Sequence, residues 1–183
     1  MKVLQRLTEL DAKQIRQLEI NALAQRSGPA QARAEEVLAA IDAERRRRSD
    51  LARLTNAAAA ERVRQKVQSL PFKERVTAAF TDLPPLGWEM DTLKALLERP
   101  GATTEELSEA VGYSGAYMNW FGHVCRDREP WLGPAQPRSD GRTIYSDLLV
   151  DFVARKDVST GQSVTEWRLK PEARDALQEL ALV

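Results

Sequence analysis

The sequence is poor in the residues that build disulfides, metal centres and membrane spans. Its 183 residues include one cysteine and one histidine, so an internal disulfide cannot form. A single cysteine is typical of a reducing compartment and predicts a cytoplasmic protein. No apolar run approaches the roughly 20 residues that cross a bilayer, and the stretch MKVLQRLTELDAKQ has no signal-peptide core. We therefore expect no membrane partner.

The same scarcity excludes most catalytic chemistry. An HNH nuclease site needs a histidine base and further ligands, whereas His123 is alone. His123 and Cys125 would point about 200° apart on a helix, so they cannot share a metal ion, and Cys125 is expected to be a small buried residue. A carboxylate nuclease site has the pattern Asp…Glu-x-Lys, and its candidate carboxylates here are Asp147, Asp151, Asp157 and Glu166. This site is disfavoured because Arg168 occupies the lysine position.

Glycine-rich phosphate loops are also missing, since none of GPAQ, GATT and GYSG fits a nucleotide-binding fingerprint. We therefore predict no catalytic residue, no metal, no cofactor and no enzymatic activity.

Net charge is zero, but the charges are unevenly distributed. Residues 1–80 carry 16 basic and 10 acidic side chains, while residues 81–183 carry 11 and 17. Ten basic and three acidic residues fall between Arg45 and Arg75. This asymmetry predicts two parts with different roles, and an ordinary solvated helix face explains the basic stretch equally well.

The first 80 residues have the apolar spacing of helices. Gly28 and Pro29 break the pattern, and a second helix starts near Ala30. Ser49 and Asp50 follow its arginine run, where they either break the helix or cap a new one. Large apolar side chains are few, so we expect a helical hairpin or arm that packs on the second half or on a second copy of itself. Its expected role is dimerisation or clamping of DNA.

The second half begins behind a linker at residues 81–87, TDLPPLG. Three helices are predicted there, in WEMDTLKALLERPG, ATTEELSEAVGYS and GAYMNWFGHVCRDR. Thr103 or Thr104 caps the second, with Glu106 in capping-box spacing. After a loop, IYSDLLVDFVARK and SVTEWRL alternate as two strands, and Pro171 opens a last helix.

Three helices followed by a hairpin is the order of a winged helix-turn-helix. The expected fold is mainly α with a small β-hairpin, an α+β class. It comprises an N-terminal helical hairpin or arm over residues 1–80, the linker at 81–87, and a winged-helix domain over 88–183. Winged helices contact either DNA or other proteins.

The second half also resembles a winged-helix DNA-binding domain found beside bacterial HNH and restriction-type nucleases. The similarity covers about residues 88–183. Residues at the positions of one family motif are Asn119, Phe121, Gly122 and Val124, and residues in its closing pattern are Trp167, Leu169, Lys170, Pro171 and Glu172. The resemblance implies a DNA-binding module associated with restriction or DNA modification.

The residues expected to contact DNA lie on the third helix and around the hairpin. Early residues of a recognition helix face base edges, and flanking cations hold phosphates. Base contacts are predicted for Ser114, Tyr117, Asn119 and His123. Phosphate contacts are predicted for Arg126, Arg128, Arg138, Arg142, Arg155 and Lys156. A further phosphate clamp is predicted at Arg45, Arg46, Arg47 and Arg48. Local turn bonding for Asn119 and plain surface charge for the cations are the alternatives.

The aromatic residues divide into two groups. Trp88, Phe152 and Trp167 are expected in the core. Trp131 is the candidate for a stacking surface, and with Tyr117 and Trp120 it could enclose an extruded methylated base.

We therefore predict a non-enzymatic protein that binds double-stranded DNA, in restriction, phage defence or mobile elements, with a homodimer or a nuclease as partners. The alternative is a protein-interaction module that acts on a separately encoded nuclease or on the transcription machinery.

Overall fold

The structure is a computed structural model that describes residues 4–112, 117–156 and 161–181. The α-helices are α1 (Ala12–Ala24), α2 (Gln31–Val67), α3 (Phe72–Asp82), α4 (Gly87–Glu98), α5 (Thr104–Ala110), α6 (Tyr117–Asp127), α7 (Glu129–Leu132) and α8 (Pro171–Glu179). The strands are β1 (Val150–Lys156) and β2 (Ser163–Leu169), and 3-10 helices lie at Leu4–Glu9 and Tyr145–Leu148. The predicted class, mainly α with a small antiparallel hairpin, is confirmed.

No helix in these three described ranges is both long and apolar enough to cross a membrane.

The chain divides into two compact units, Met1–Ala59 and Ala60–Val183. The sequence predicts the boundary between the two parts at the proline-containing linker, residues 81–87. In the structure the boundary lies earlier in the chain, between Ala59 and Ala60, because α3 packs in the core of the second unit. The α3 side chains buried there are Val76, Ala79 and Phe80.

A small apolar cluster holds the first unit together. Its buried members are Leu7, Ile15 and Ile41, with Leu10, Leu18, Val37 and Ala40 packed against them. Asp11 caps α1 and forms a capping box with Gln14, which satisfies free N–H groups of the first turn. The predicted helical hairpin is therefore present as α1 packed on the first turns of α2.

α2 continues through Ser49 and Asp50 without the break or new cap that the sequence suggests. Asp50 stays helical and pairs with Arg53 at 3.4 Å. The alanine-rich sequence explains the continuity, because alanine has the highest helix propensity. Between residues 45 and 59 no side chain is fully buried, and Leu51 and Leu54 are 55% and 64% exposed.

The stability of the first unit should depend on the ionisation of Glu44. Arg47 and Arg48 donate hydrogen bonds to this buried carboxylate at 2.7–2.8 Å. These bonds lower the pKa of Glu44 from 4.5 to about 2. A carboxyl whose pKa falls on folding stabilises the folded state above its ordinary pKa, and this contribution is lost as pH falls.

We therefore expect amide-exchange protection of residues 12–59 to decrease between pH 4.5 and pH 2. Glu44→Gln should lower protection at neutral pH and flatten this acid dependence, as measured by hydrogen exchange with mass spectrometry. Glu36→Gln, an exposed change on the same helix, is the matched control and should leave the profile intact. An unaltered profile in Glu44→Gln would contradict the assignment.

Trp167 of β2 lies at the centre of the second unit's core. Its indole is fully buried and meets the rings of Tyr117, Phe121 and Phe152 edge-on, at centroid distances of 5.3, 5.7 and 4.8 Å. Its Nε1–H donates to the Thr104 hydroxyl at 3.0 Å. The predicted core position of Trp167 is confirmed, and Phe152 is partly buried and packs against this core.

A short strand segment before α5 extends the hairpin on the β2 side. The Gly101 N–H donates to the Trp167 carbonyl at 2.9 Å, and the Trp167 N–H donates to the Ala102 carbonyl at 3.0 Å. Thr103 forms a bridge with Glu166. From α4 onward the order is helix, short strand segment, two helices, then α7 and a 3-10 helix ahead of the hairpin. The three predicted helices therefore precede the hairpin, and the structure adds a pairing that the sequence does not indicate.

Two local predictions differ from the structure. β1 begins only at Val150, because Tyr145–Leu148 form a 3-10 helix ahead of it. The segment behind α6, expected to be a loop, starts with the one-turn helix α7, where Pro130 occupies the first turn. The capping box of Thr103 with Glu106 is present as predicted.

Candidate nucleic-acid interface

α6 has a polar face because its apolar residues follow the helical period. Successive side chains turn by about 100°. The fully buried side chains in and just behind α6 are Tyr117, Phe121, Val124, Cys125 and Arg128. Asn119, His123 and Arg126 lie on the opposite side, and all three are exposed. This is the side that a recognition helix turns toward the major groove.

The polar face of α6 borders a groove of about 260 Å³. Asn119, His123 and Arg126 line it from the helix, and residues 143–146 line it from the other side. The 3-10 helix lies in van der Waals range of α6 here, since a Cβ placed on Gly122 would lie 3.9 Å from the hydroxyl of Ser146. The three predicted contact residues therefore share one concave surface.

A larger groove of about 800 Å³ continues from the first, since Met118 and Ile144 line both. It lies between the start of α5 and the hairpin, and Arg138 and Arg155 are among its lining residues. We call the two together the α6–hairpin groove. Glu105 and Glu106 also line it, and their carboxylates oppose anion binding.

Arg138 and Arg142 lie on the loop behind α7, and each pairs with an aspartate. Arg138 donates to Asp147 at 3.0 Å and its Cζ lies 5.6 Å from the ring centroid of Phe152. Arg142 pairs with Asp140 at 2.7 Å and keeps 81% of its side chain exposed. Both guanidiniums are accessible, and their charges are partly neutralised.

The two predicted hairpin cations end β1. Arg155 pairs with Glu166 at 2.6 Å and its side chain is 47% exposed, while Lys156 is exposed. Consecutive strand residues project to opposite faces, so the side chains of Arg155 and Lys156 lie on opposite faces of the hairpin. Only Arg155 is among the residues that line the α6–hairpin groove.

Arg128 does not belong to this surface, contrary to prediction. Its side chain is 0% exposed. It donates to the Glu89 carboxylate at 3.0 Å and to the carbonyls of Val124 and Leu83, at 3.0 and 2.8 Å, and its Cζ lies 4.5 Å from the ring centroid of Phe80. This burial excludes a phosphate contact, and Arg128 instead ties the end of α6 to the segment before α4.

Tyr117 is a core residue as well, so the predicted base contact does not fit the structure. It is fully buried, and its hydroxyl donates to the Thr92 carbonyl at 2.8 Å. Burial raises the pKa of Tyr117. Ser114, the remaining predicted base contact, lies outside the described residues.

The predicted phosphate clamp on α2 is mostly engaged within the first unit. The pairing of Glu44 described above occupies two of its four arginines. Arg45 is held by Glu19 through two contacts of 2.7 Å, which lower the pKa of Glu19. Arg46 is exposed and forms no ion pair within the described ranges, so it is the member best placed for an external anion.

Tyr117, Trp120 and Trp131 do not form an aromatic sandwich. Trp131 packs partly buried against the core, and its Nε1–H donates to Asp82 at 3.0 Å. Trp120 meets Trp88 edge-on, with ring centroids 4.7 Å apart. A pocket for an extruded methylated base is therefore not built from these three rings, and Trp88 packs on the core as expected.

Three of the groups considered for catalysis, Cys125, Asp147 and Glu166, are buried or bonded elsewhere, while His123 and Asp151 are exposed. Cys125 is fully buried, and burial raises the pKa of its thiol. Asp147 and Glu166 each pair with an arginine, and Asp157 lies outside the described residues. Within the part of the chain that the structure describes, no three His, Cys, Asp or Glu side chains lie close enough to hold a metal ion.

Two basic residues near the hairpin were missed by sequence reasoning. Arg99 lines a groove of about 340 Å³ together with Arg155, and Arg168 pairs with Glu166 at 2.7 Å. The sequence contains a signal for Arg168. Glu166 and Arg168 are two residues apart on the predicted second strand, and such residues share one face of the strand. No local signal identifies Arg99, because the pairing of residues 101–103 with β2 brings it to the hairpin.

Comparison of the chain with protein-family models, with curated proteins and with solved structures finds no match.

Proposed function

We propose that the protein is a non-enzymatic DNA-binding protein, and that its second unit is a winged helix which contacts duplex DNA. The observation that carries this proposal is the alignment of Asn119, His123 and Arg126 on the exposed side of α6, in a groove that continues to Arg138 and Arg155. Asparagine can bond an adenine edge through two hydrogen bonds, and arginine can bond guanine or a phosphate.

The dimensions of α6 agree with this role. From Asn119 to Arg126 a helix rises about 10 Å, which corresponds to about three base pairs at 3.4 Å each. The three side chains can therefore reach consecutive base pairs from one major groove. Lys156 and Arg142 are exposed at the hairpin and the loop, where they can supply phosphate contacts.

The proposal is tested by titrating a labelled random duplex and measuring fluorescence anisotropy at several salt concentrations. Arg126→Ala should weaken binding to all sequences and reduce the salt slope by about 1. Asn119→Ala should cost about 1–3 kcal/mol at its preferred base and relax specificity there. Arg33→Ala, an exposed change in the first unit, is the control and should leave affinity unaltered. Absence of binding by the natural protein at about 50 mM salt, where electrostatic affinity is high, would refute the proposal.

A protein partner is the second candidate function, and one observation favours it. Leu86 is 74% exposed beside the partly exposed pair of Trp88 and Trp120. Exposed apolar and aromatic side chains of this kind mark protein contacts. On this second proposal the partner is a separately encoded nuclease or the transcription machinery. Leu86→Ser should leave duplex affinity intact if DNA is the ligand.

The proposed setting is restriction, phage defence or a mobile element, and the proposed assembly is a homodimer that presents two winged helices. The setting is supported by the motif residues alone. Three of these, Phe121, Val124 and Trp167, are fully buried in the core, so they support the fold more directly than the setting. Light scattering of the purified protein measures the assembly.

A further inference from the structure

We propose that the outer face of the hairpin carries a second phosphate site, formed by Arg155 and Arg168 and held in position by Glu166. The ligand is a phosphodiester group of the duplex, so this inference rests on the proposed DNA-binding function. It assigns a binding role to Arg168 and a positioning role to Glu166.

The three side chains form one ion-pair cluster. Glu166 Oε1 lies 2.6 Å from Arg155 Nε, and Oε2 lies 2.7 Å from Arg168 Nη2 and 3.2 Å from its Nε. The Glu166 side chain is 9% exposed, whereas those of Arg155 and Arg168 are 47% and 58% exposed. The carboxylate therefore lies underneath, and the cations lie on the surface.

Each guanidinium keeps binding capacity in this arrangement. It carries five N–H groups, and a carboxylate contacts only one edge of the plane. The cluster of two arginines and one glutamate has a net charge of +1. Phosphate oxygens match the forked geometry of guanidinium, so two arginines fixed side by side present a prepared site for a phosphodiester.

The backbone beside β2 keeps Glu166 in place. Gly101 has a φ of +84°, and a Cβ at this residue would lie 3.4 Å from Glu166 Oε2. Its N–H is bonded to the Trp167 carbonyl. The positive φ favours glycine at this position, and the segment lies in van der Waals contact with the carboxylate.

The site continues the surface proposed for DNA. Arg155 lines the α6–hairpin groove and also the smaller groove that contains Arg99. Basic side chains thus follow one another from Arg126 through Arg138 and Arg155 to Arg99. These cations share the grooves with the carboxylates of Glu105 and Glu106, and they are the phosphate contacts offered to the backbone of a duplex bound at α6.

The role of Glu166 can be tested by the direction in which DNA affinity changes when its negative charge is removed. Glu166 pairs with Arg155, and Glu105 lines the same groove as Arg155, so Glu166→Gln and Glu105→Gln each remove one negative charge from this surface. If Glu166 only repelled DNA, both variants would bind more tightly. If Glu166 positions two phosphate-binding arginines, Glu105→Gln tightens binding and Glu166→Gln weakens it, each by about twofold to fivefold, the scale of one exposed ion contact.

The experiment measures the affinity of the full chain for a 30-base-pair duplex across salt concentrations. We expect Glu166→Gln to lower the salt slope and Glu105→Gln to leave it unchanged. Arg168→Ala and Arg155→Ala should each weaken binding by a similar factor, and the Nε–H NMR signals of both arginines should shift when duplex is added. Urea denaturation of each variant reports whether its fold is intact.

The outcomes separate the two proposals. No binding by the natural chain refutes the DNA function itself. Binding that is strengthened by Glu166→Gln overturns the positioning role while leaving α6 as the interface. If Glu166→Gln fails to fold, the affinities of Arg155→Ala and Arg168→Ala test the second phosphate site instead. Unchanged DNA affinity in both variants overturns that site.

Discussion

Arg128→Ala should destabilise the second unit by about 3–5 kcal/mol, because it leaves a partly buried carboxylate without its ion partner. Glu89 would lose two contacts from Arg128, at 3.0 and 3.3 Å. The carbonyl of Leu83 would lose a hydrogen-bond donor, and a cavity would open beside Phe80. Urea denaturation followed by circular dichroism at pH 7 measures this loss.

Arg126→Ala is the matched control, two residues earlier on the same helix. Its side chain is 50% exposed and pairs with Asp127 at 3.3 Å, so its removal should cost less than about 0.5 kcal/mol. The double variant Arg128→Met with Glu89→Leu should be more stable than Arg128→Met alone, because no charge is then left unpaired. Equal costs for Arg128→Ala and Arg126→Ala would contradict the burial of Arg128.

Trp167→Ala should cost about 3–5 kcal/mol, the range for truncating a fully buried large aromatic residue. The change removes contacts with three rings, those of Tyr117, Phe121 and Phe152, and leaves a cavity where the hairpin meets the helices. Thermal and urea denaturation of the full chain measure the effect.

Thr104→Val separates packing from hydrogen bonding at this site. It removes the acceptor of the Trp167 indole N–H and keeps the side-chain volume, so we expect a cost of about 1–3 kcal/mol for one unsatisfied buried donor. If Trp167→Ala were no more harmful than Thr104→Val, ring packing would contribute little, and Trp167 would not be the centre of this core.

Local signals predicted most helices and both strands. The capping box at Thr103 and the proline at position 171 each mark a helix start through contacts within one turn, and the alternation in SVTEWRL marks a strand. Gly28 and Pro29 separate α1 from α2 for the same local reason. These features depend on neighbouring residues only, which is why the sequence reveals them.

Long-range contacts account for the predictions that differ. The charge of Arg128 predicts a surface position, but its helical position places it with Val124 and Cys125 on the core side of α6. α3 was assigned to the first half because prolines follow it, yet its apolar face packs on α8 and the second core. The strand segment at residues 101–103 is defined only by its pairing with β2.

The candidate interface was predicted in part. Asn119, His123, Arg126, Arg138 and Arg155 lie along one groove, as a recognition helix and a hairpin suggest. Glu166 could not be recognised from the sequence, because an acidic residue in a strand gives no sign that two arginines will share its carboxylate.

The pairing of Arg128 with Glu89 also restricts how this protein can diverge. Either residue changed alone leaves an unpaired charge in the interior, so an intermediate with only one substitution would be selected against. Descendants should therefore retain both residues or replace both together, and positions 89 and 128 should covary among homologues. The exposed cations of the groove carry no such restriction, so they can exchange one at a time as the bound partner changes.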